Sequence, residues 1–280
     1  MYQKIIVILL FQFWFHLVSN GQDSIPKKSK HLLGVYTGYS HHIIRDDVAS
    51  PLIYKGSQAP FAFTYKYMGS KSRQSANFYI DHLELSSSVT DKSGYWQHYA
   101  DNWNATLDYS YLRKAFTIAK VNTNCFLGIK LLGLLNYRNF HYYKDYSVVF
   151  AEQLNSIGIN FMMEKKLGIK QDDCLRFNVN VPLAAYVILK DRYNGVVSET
   201  FNKIDFKDKP ILNIITHGDI VTLNKLIEYQ TELSYTRFLS KSFGFEFQHR
   251  LHFYNFSHYK DLLHAQYLNN QYLMGLIIKF

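Results

Sequence analysis

The chain has 280 residues and carries 31 Lys and Arg against 22 Asp and Glu, a formal charge of +9, but its larger anomaly is aromatic: 23 Tyr and 21 Phe beside only five Pro. No phosphate-cradling glycine run, GxSxG or HExxH stretch occurs, so the commonest nucleotide-binding, serine-hydrolase and zinc-protease signatures are absent. A basic balance can suit nucleic acid, yet the N-terminus directs the chain away from it. Lys4 precedes the apolar run IIVILLFQFWF, and Ser19 and Gly21 stand three and one residues before a cut ahead of Gln22. The run is too short to span a bilayer, so residues 1–21 read as a secretory signal peptide and 22–30 as a short periplasmic segment. No cysteine follows the cut, which excludes a lipoprotein. Cleavage removes one basic residue, Lys4, and no acidic one, which lowers the balance from +9 to +8. The remaining lysines on turns and loops suit anionic lipid headgroups rather than nucleic acid.

From residue 31 onward the dominant pattern is period two, the repeat of a β-strand. Ten candidate strands follow in order: 32–42, 60–69, 76–88, 105–118, 124–138, 146–164, 174–188, 223–238, 242–256 and 264–280. Connections after the even strands are short, reading GSKSRQ, AKVNT, KKLGIKQDD and LSKS, whereas 43–59, 89–104 and 189–222 are long. Short and long connections alternating on an even strand count predict an all-β, antiparallel transmembrane barrel over 31–280, with periplasmic termini and long outer loops. The 189–222 loop is too long to be idle. It forms a hairpin above the membrane, a cap, or two further strands for a total of twelve. Cys125 and Cys174 start strands five and seven, with one strand between them and side chains on opposite rows. Twice the strand spacing of ~4.8 Å exceeds disulfide reach, so two free thiols are expected.

Along strand seven, Leu175, Phe177, Val179, Val181, Leu183, Ala185 and Val187 make an apolar row against Arg176, Asn178 and Asn180. Strands eight and nine likewise set apolar rows against Glu228, Gln230 and Glu232 and against Glu246, Gln248, Arg250 and His252. Mixed charges in mid-row suit a closed lumen, where neighbours pair them. Lys66, Lys130, Arg176, Glu228, Glu232, Glu246, Arg250 and His252 are therefore expected to fill the interior with an ion-pair plug. Barrels this narrow are filled by side chains, whereas aqueous pores need about 16 strands.

The last ten residues, QYLMGLIIKF, place Tyr272, Met274, Leu276, Ile278 and Phe280 on one face. In this the chain resembles Gram-negative outer-membrane β-barrel proteins, whose final strand ends in Phe after alternating apolar residues. The resemblance implies an outer-membrane location, lipid around an apolar band about 25 Å tall, and recognition of these five residues by the barrel assembly machinery. Ile278 departs from the aromatic that the pattern usually carries there. The resemblance names no activity.

Toward the expected outer loops lie His41, His42, His98, His141, His217, His258 and His264, several near Asp46, Asp47, Asp101 or Asp219. Ten strands and a His/Asp-rich rim resemble omptin proteases, whose Asp-Asp and Asp-His pairs act on a water. A neutral His held by Asp can take that proton near neutral pH. One polar residue, His249, interrupts the apolar row of strand nine, with Thr231 and Asn270 expected beside it. The three resemble the Ser, His and Asn of outer-membrane phospholipases, with Thr in the nucleophile's place; contact with another membrane subunit or a local hydrogen bond are the other readings. No metal or cofactor is called for. The sequence favours a non-enzymatic surface-binding protein or complex subunit, with a barrel-embedded hydrolase second and a narrow transport channel third.

Overall fold

The computed structural model describes residues 30–47, 50–90, 97–143, 146–167, 173–189, 219–258 and 263–280. The stretch expected to be a signal peptide, the 22–29 segment, residues 190–218 and His217 with them lie outside that set. Alternating β-branched and aromatic residues favour extended chain, and the described residues form twelve strands: β1 (Lys30–Asp46), β2 (Ser50–Gln58), β3 (Phe61–Met68), β4 (Ser72–Thr90), β5 (Gln97–Ile118), β6 (Thr123–Tyr143), β7 (Tyr146–Lys166), β8 (Cys174–Leu189), β9 (Asp219–Thr222), β10 (Leu226–Phe238), β11 (Phe243–His258) and β12 (Leu263–Lys279).

The pairings close into an antiparallel ring of ten positions. β2 and β3 share one position, since both pair with β1 and β4. They part at Ala59–Pro60, where proline has no N–H for the ladder. β9 and β10 share the place beside β8. β12 pairs with β1 from Leu32↔Lys279 to Asp46↔Ala265 and closes the ring. Both described chain ends meet at one end of the barrel, where His31 and Phe280 exchange backbone hydrogen bonds of 3.1 and 3.0 Å and the Lys279 N–H reaches the Ser242 carbonyl at 2.7 Å. The 69–71, 119–122 and 239–242 turns lie at this turn end; Asn122, with φ 48°, supplies the left-handed residue that finishes the 119–122 turn.

Two expected loops are largely strand. Residues 43–46 and 50–58 extend β1 and β2, and 97–104 extend β5, so the barrel is taller than the alternating segments alone suggest. Their inward residues explain it: Ile44, Tyr54, Leu83, Leu85 and Ala100 are buried together with Leu134, Phe140, Leu154 and Phe256 in an apolar cluster at the far end. There the outside is mixed, with Arg45, Lys55 and Glu84 exposed beside Ile53 and Val89. Strand β8 brings another correction. A bulge sets Gly158 opposite Pro182 and Ile157 opposite Ala184, so the row inverts beyond it: Val181 and Leu183 face out, but Ala185 and Val187 face in. Both cysteines are free and buried. Cys174 shares the inward row of Arg176, while Cys125 pairs with Met163 on the row opposite to the buried Phe126 and Met162.

Candidate functional site: the barrel interior

The inward rows of all ten positions converge on a lumen of buried polar side chains in three layers. Nearest the turn end, Glu246 of β11 is the hub. It accepts from Lys66 and Gln248, from Thr236 Oγ1 at 2.6 Å, from Tyr36 Oη at 3.1 Å and from Arg176 Nη1 at 3.3 Å. Arg176 Nε also reaches Glu164 at 3.1 Å, and Glu164 takes a two-pronged contact from Arg73 at 2.6 and 3.1 Å. Buried carboxylates need such partners, because an unpaired charge in a low dielectric is costly. Backbone shape assists: a Cβ on Gly275 would lie 2.2 Å from the Tyr36 ring, so only glycine lets that ring lie flat and deliver its hydroxyl to Glu246.

In the middle layer, Asp108 of β5 accepts from Asn77 at 2.6 Å and lies 3.2 Å from Lys130 and 3.3 Å from Arg250. The Arg250 guanidinium stacks 3.4 Å above the Tyr79 ring, donates to Gln271 at 3.2 Å and lies 3.8 Å from Glu232. Farther up, His252 meets Glu228 at 2.8 Å, and Arg138 bridges Glu152 at 2.6 Å and Asp46 at 3.6 Å, with the Tyr254 hydroxyl also donating to Glu152 at 2.6 Å. The eight lumen residues expected from sequence thus all face inward; Lys66, Lys130, Arg176, Glu232, Glu246 and Arg250 lie in ion pairs, and Glu228 and His252 meet each other. Asp46, Arg73, Asp81, Asp108, Arg138, Glu152 and Glu164 join them. The same period-two reading reaches these, apart from Asp46 in an expected loop and Arg73 in the GSKSRQ turn, but it cannot pair residues that meet across many strands.

Several rim candidates lie elsewhere than expected. His42 and Asp46 are fully buried in the lumen rather than on a loop. His42 Nε2 is 2.9 Å from Asp81 and 2.7 Å from Ser40 Oγ, while its Nδ1 is 3.2 Å from the Tyr267 hydroxyl. This Ser–His–Asp group is not a catalytic triad. A relay needs the carboxylate and the hydroxyl on opposite ring nitrogens, and here both sit on Nε2, closed off from solvent. His41 bonds Ser57 at 2.8 Å on the outer face, and Asp47 pairs with Arg45 at 2.9 Å. Asp101 lies 3.3 Å from His141, whose ring stacks on Tyr99. His98 is half-buried near the start of β5, and Asp219 is exposed on β9. Among the described residues the outer-face pairs are spread over different strands, and no group of three metal-ligating side chains forms.

The outward group is arranged differently from its expected register. Leu233, not Thr231, lies opposite His249, and Thr231 lies opposite Leu251. Asn270 does reach His249, at 2.7 Å, and the His249 ring stacks on Tyr272 with centroids 4.7 Å apart. Among the described residues, small cavities of about 20 and 40 Å³ flank Arg250 and Arg176 in the lumen, room for about one to three waters.

No protein-family model matches the chain, and no curated protein matches its sequence. Solved structures do. The outer membrane protease OmpT from Escherichia coli superposes with a TM-score of 0.51 at 6% identity, over 94% of this chain and 100% of that one. The translocator domain of the autotransporter NalP from Neisseria meningitidis gives 0.44 at 9% identity over 99% and 98%, and neisserial surface protein A gives 0.33 at 10% identity over 89% and 97%. The fold is that of outer-membrane β-barrel proteins.

Proposed function

We propose that the protein is an integral outer-membrane barrel that does not conduct and acts through its far end, as a surface-binding protein or as a subunit of a membrane complex. The observation that carries this reading is the filled lumen: two layers of paired charges lie beneath an apolar cluster that itself encloses the third, Asp46–Arg138–Glu152, and the cavities beside Arg250 and Arg176 hold only a few waters. An apolar outer row on β12, with Tyr272, Met274, Leu276, Ile278 and Phe280 about half exposed or more, supports lipid contact there and a role for these residues as the assembly signal. In planar bilayers the purified barrel should give no steps of nanosiemens size. Such steps would overturn the closed-lumen reading and favour a transport channel.

The subunit role has its own support. Asn270, bonded to His249, lies opposite His41, and His41 and Tyr39 share Ser57 at 2.8 Å each. This outward polar stripe crosses β11, β12, β1 and β2, and polar residues within a bilayer commonly mark a protein contact. A hydrolase, whether phospholipase-like or omptin-like, is the weaker reading. Thr231 is displaced from His249, and His42 and Asp46 are enclosed. Replacing His249 with Leu separates the alternatives: a co-purifying subunit should be lost, and loss of phospholipid hydrolysis would instead favour the enzyme.

A further inference from the structure

The two ends of the barrel differ in charge. At the turn end each described hairpin carries exposed basic side chains: Lys71 with Arg113 and Lys114 beside the 69–71 turn, then Lys120 with Lys165 and Lys166 beside the 119–122 turn. Arg237 and Lys241 flank the 239–242 turn. Among the described residues outside the lumen at this end the one carboxylate is Asp173, whose Oδ1 is held by the Phe238 backbone N–H at 3.0 Å. The far end instead sets Asp47, Glu84, Asp101 and Asp219 against Arg45, Lys55 and Lys225.

The level of the ring is as informative as its sign. At and just inside its level on the outer wall come Phe243 beside the 239–242 turn and then Tyr65, Tyr67, Tyr111 and Tyr235, and His31 stacks on Phe280 with centroids 5.6 Å apart. Aromatic girdles mark the membrane interface of barrels, and long basic side chains just beyond can bury their stems while presenting charge to headgroups. The basic groups are spread around the circumference, on the β3–β4, β5–β6 and β10–β11 hairpins. A docked protein would engage one side; a surrounding sheet of phosphates meets them all.

We propose that this ring binds anionic phospholipid headgroups, so that the lipid annulus at the turn end is enriched in phosphatidylglycerol-type lipid. The inference rests on the membrane reading above and adds a lipid class and a location to it. The mature barrel would be reconstituted in phosphatidylcholine vesicles doped with spin-labelled phosphatidylglycerol or spin-labelled phosphatidylcholine, and the immobilised fraction of each compared. Each basic contact supports an enrichment of about fivefold, so a several-fold excess of the anionic label is expected, falling toward unity near 1 M salt. The combined variant K114Q/K120Q/K165Q/R237Q, its folding checked by heat-modifiable migration, should lose most of that excess at low salt. Equal immobilisation of the two labels by the unmodified barrel would overturn the proposal, as would an excess that survives both salt and neutralisation. An acidic protein retained by the ring in place of lipid selectivity would overturn it in favour of protein docking. Failure to insert into vesicles at all would overturn the membrane reading and this inference with it.

Discussion

Strand β11 passes through two environments that are near mirror images. On the turn side its inward residues are Glu246, Gln248 and Arg250 and its outward ones Phe243, Phe245 and Phe247; on the far side Tyr254 and Phe256 point in and Asn255 and Ser257 point out. The first stretch is inside-out relative to a water-soluble protein, as a lipid-embedded wall must be. The second has the ordinary arrangement, a polar surface over an apolar core. Interior cohesion therefore shifts along one strand, from ion pairs to apolar burial packed around the Asp46–Arg138–Glu152 cluster that Tyr254 joins, and the two halves should respond differently to the same class of damage.

The largest expected effect is at the ionic hub. Replacing Glu246 with Ala takes the carboxylate from Lys66 and leaves Arg176 with Glu164 alone, and should cost about 3–5 kcal/mol, measured by urea unfolding in micelles with gel mobility as the readout. Replacing Leu154 with Ala tests the far half; a cavity in the apolar cluster should cost about 2–5 kcal/mol while leaving the hub intact, so the two losses should add. Non-additivity would mean that the halves are one cooperative network rather than two. A smaller effect is expected from Gly275→Ala, about 1–3 kcal/mol of overpacking against Tyr36, and Tyr36→Leu in the same chain should relieve part of it. The smallest belongs to the exposed Arg45–Asp47 pair: Arg45→Ala should change stability by about 1 kcal/mol or less, with the difference vanishing at high salt. A loss comparable to that at Glu246 would break the contrast between paired interior and solvated exterior.

This contrast also explains what the sequence discloses. Period two is legible wherever it occurs, and so the strand order, the inward Lys130, Arg176 and Arg250, and the outward C-terminal row can all be read directly. The sense of the alternation is harder to read. Around Ile44, Tyr54 and Ala100 the apolar row points inward, and a search for lipid-facing rows takes such stretches for loops. The Pro182 bulge is equally silent, because one extra residue flips Ala185 and Val187 without changing their spacing. Partners are hidden for a different reason: His42 meets Asp81 past one intervening strand position and Asp46 meets Arg138 across the closed ring, and no local pattern encodes which strands will face one another.

The seam between β1 and β12 has a kinetic side. It joins His31 to Phe280, nearly the full length of the described chain, and an entropic cost of loop closure of about 5 kcal/mol must be met before its register pairs contribute. Until then the chain carries two unpaired strand edges, each able to capture another strand. Closure at this seam is consequently the step most exposed to mispairing, and its rate, rather than the depth of the final minimum, limits how quickly a newly exported chain becomes a sealed barrel.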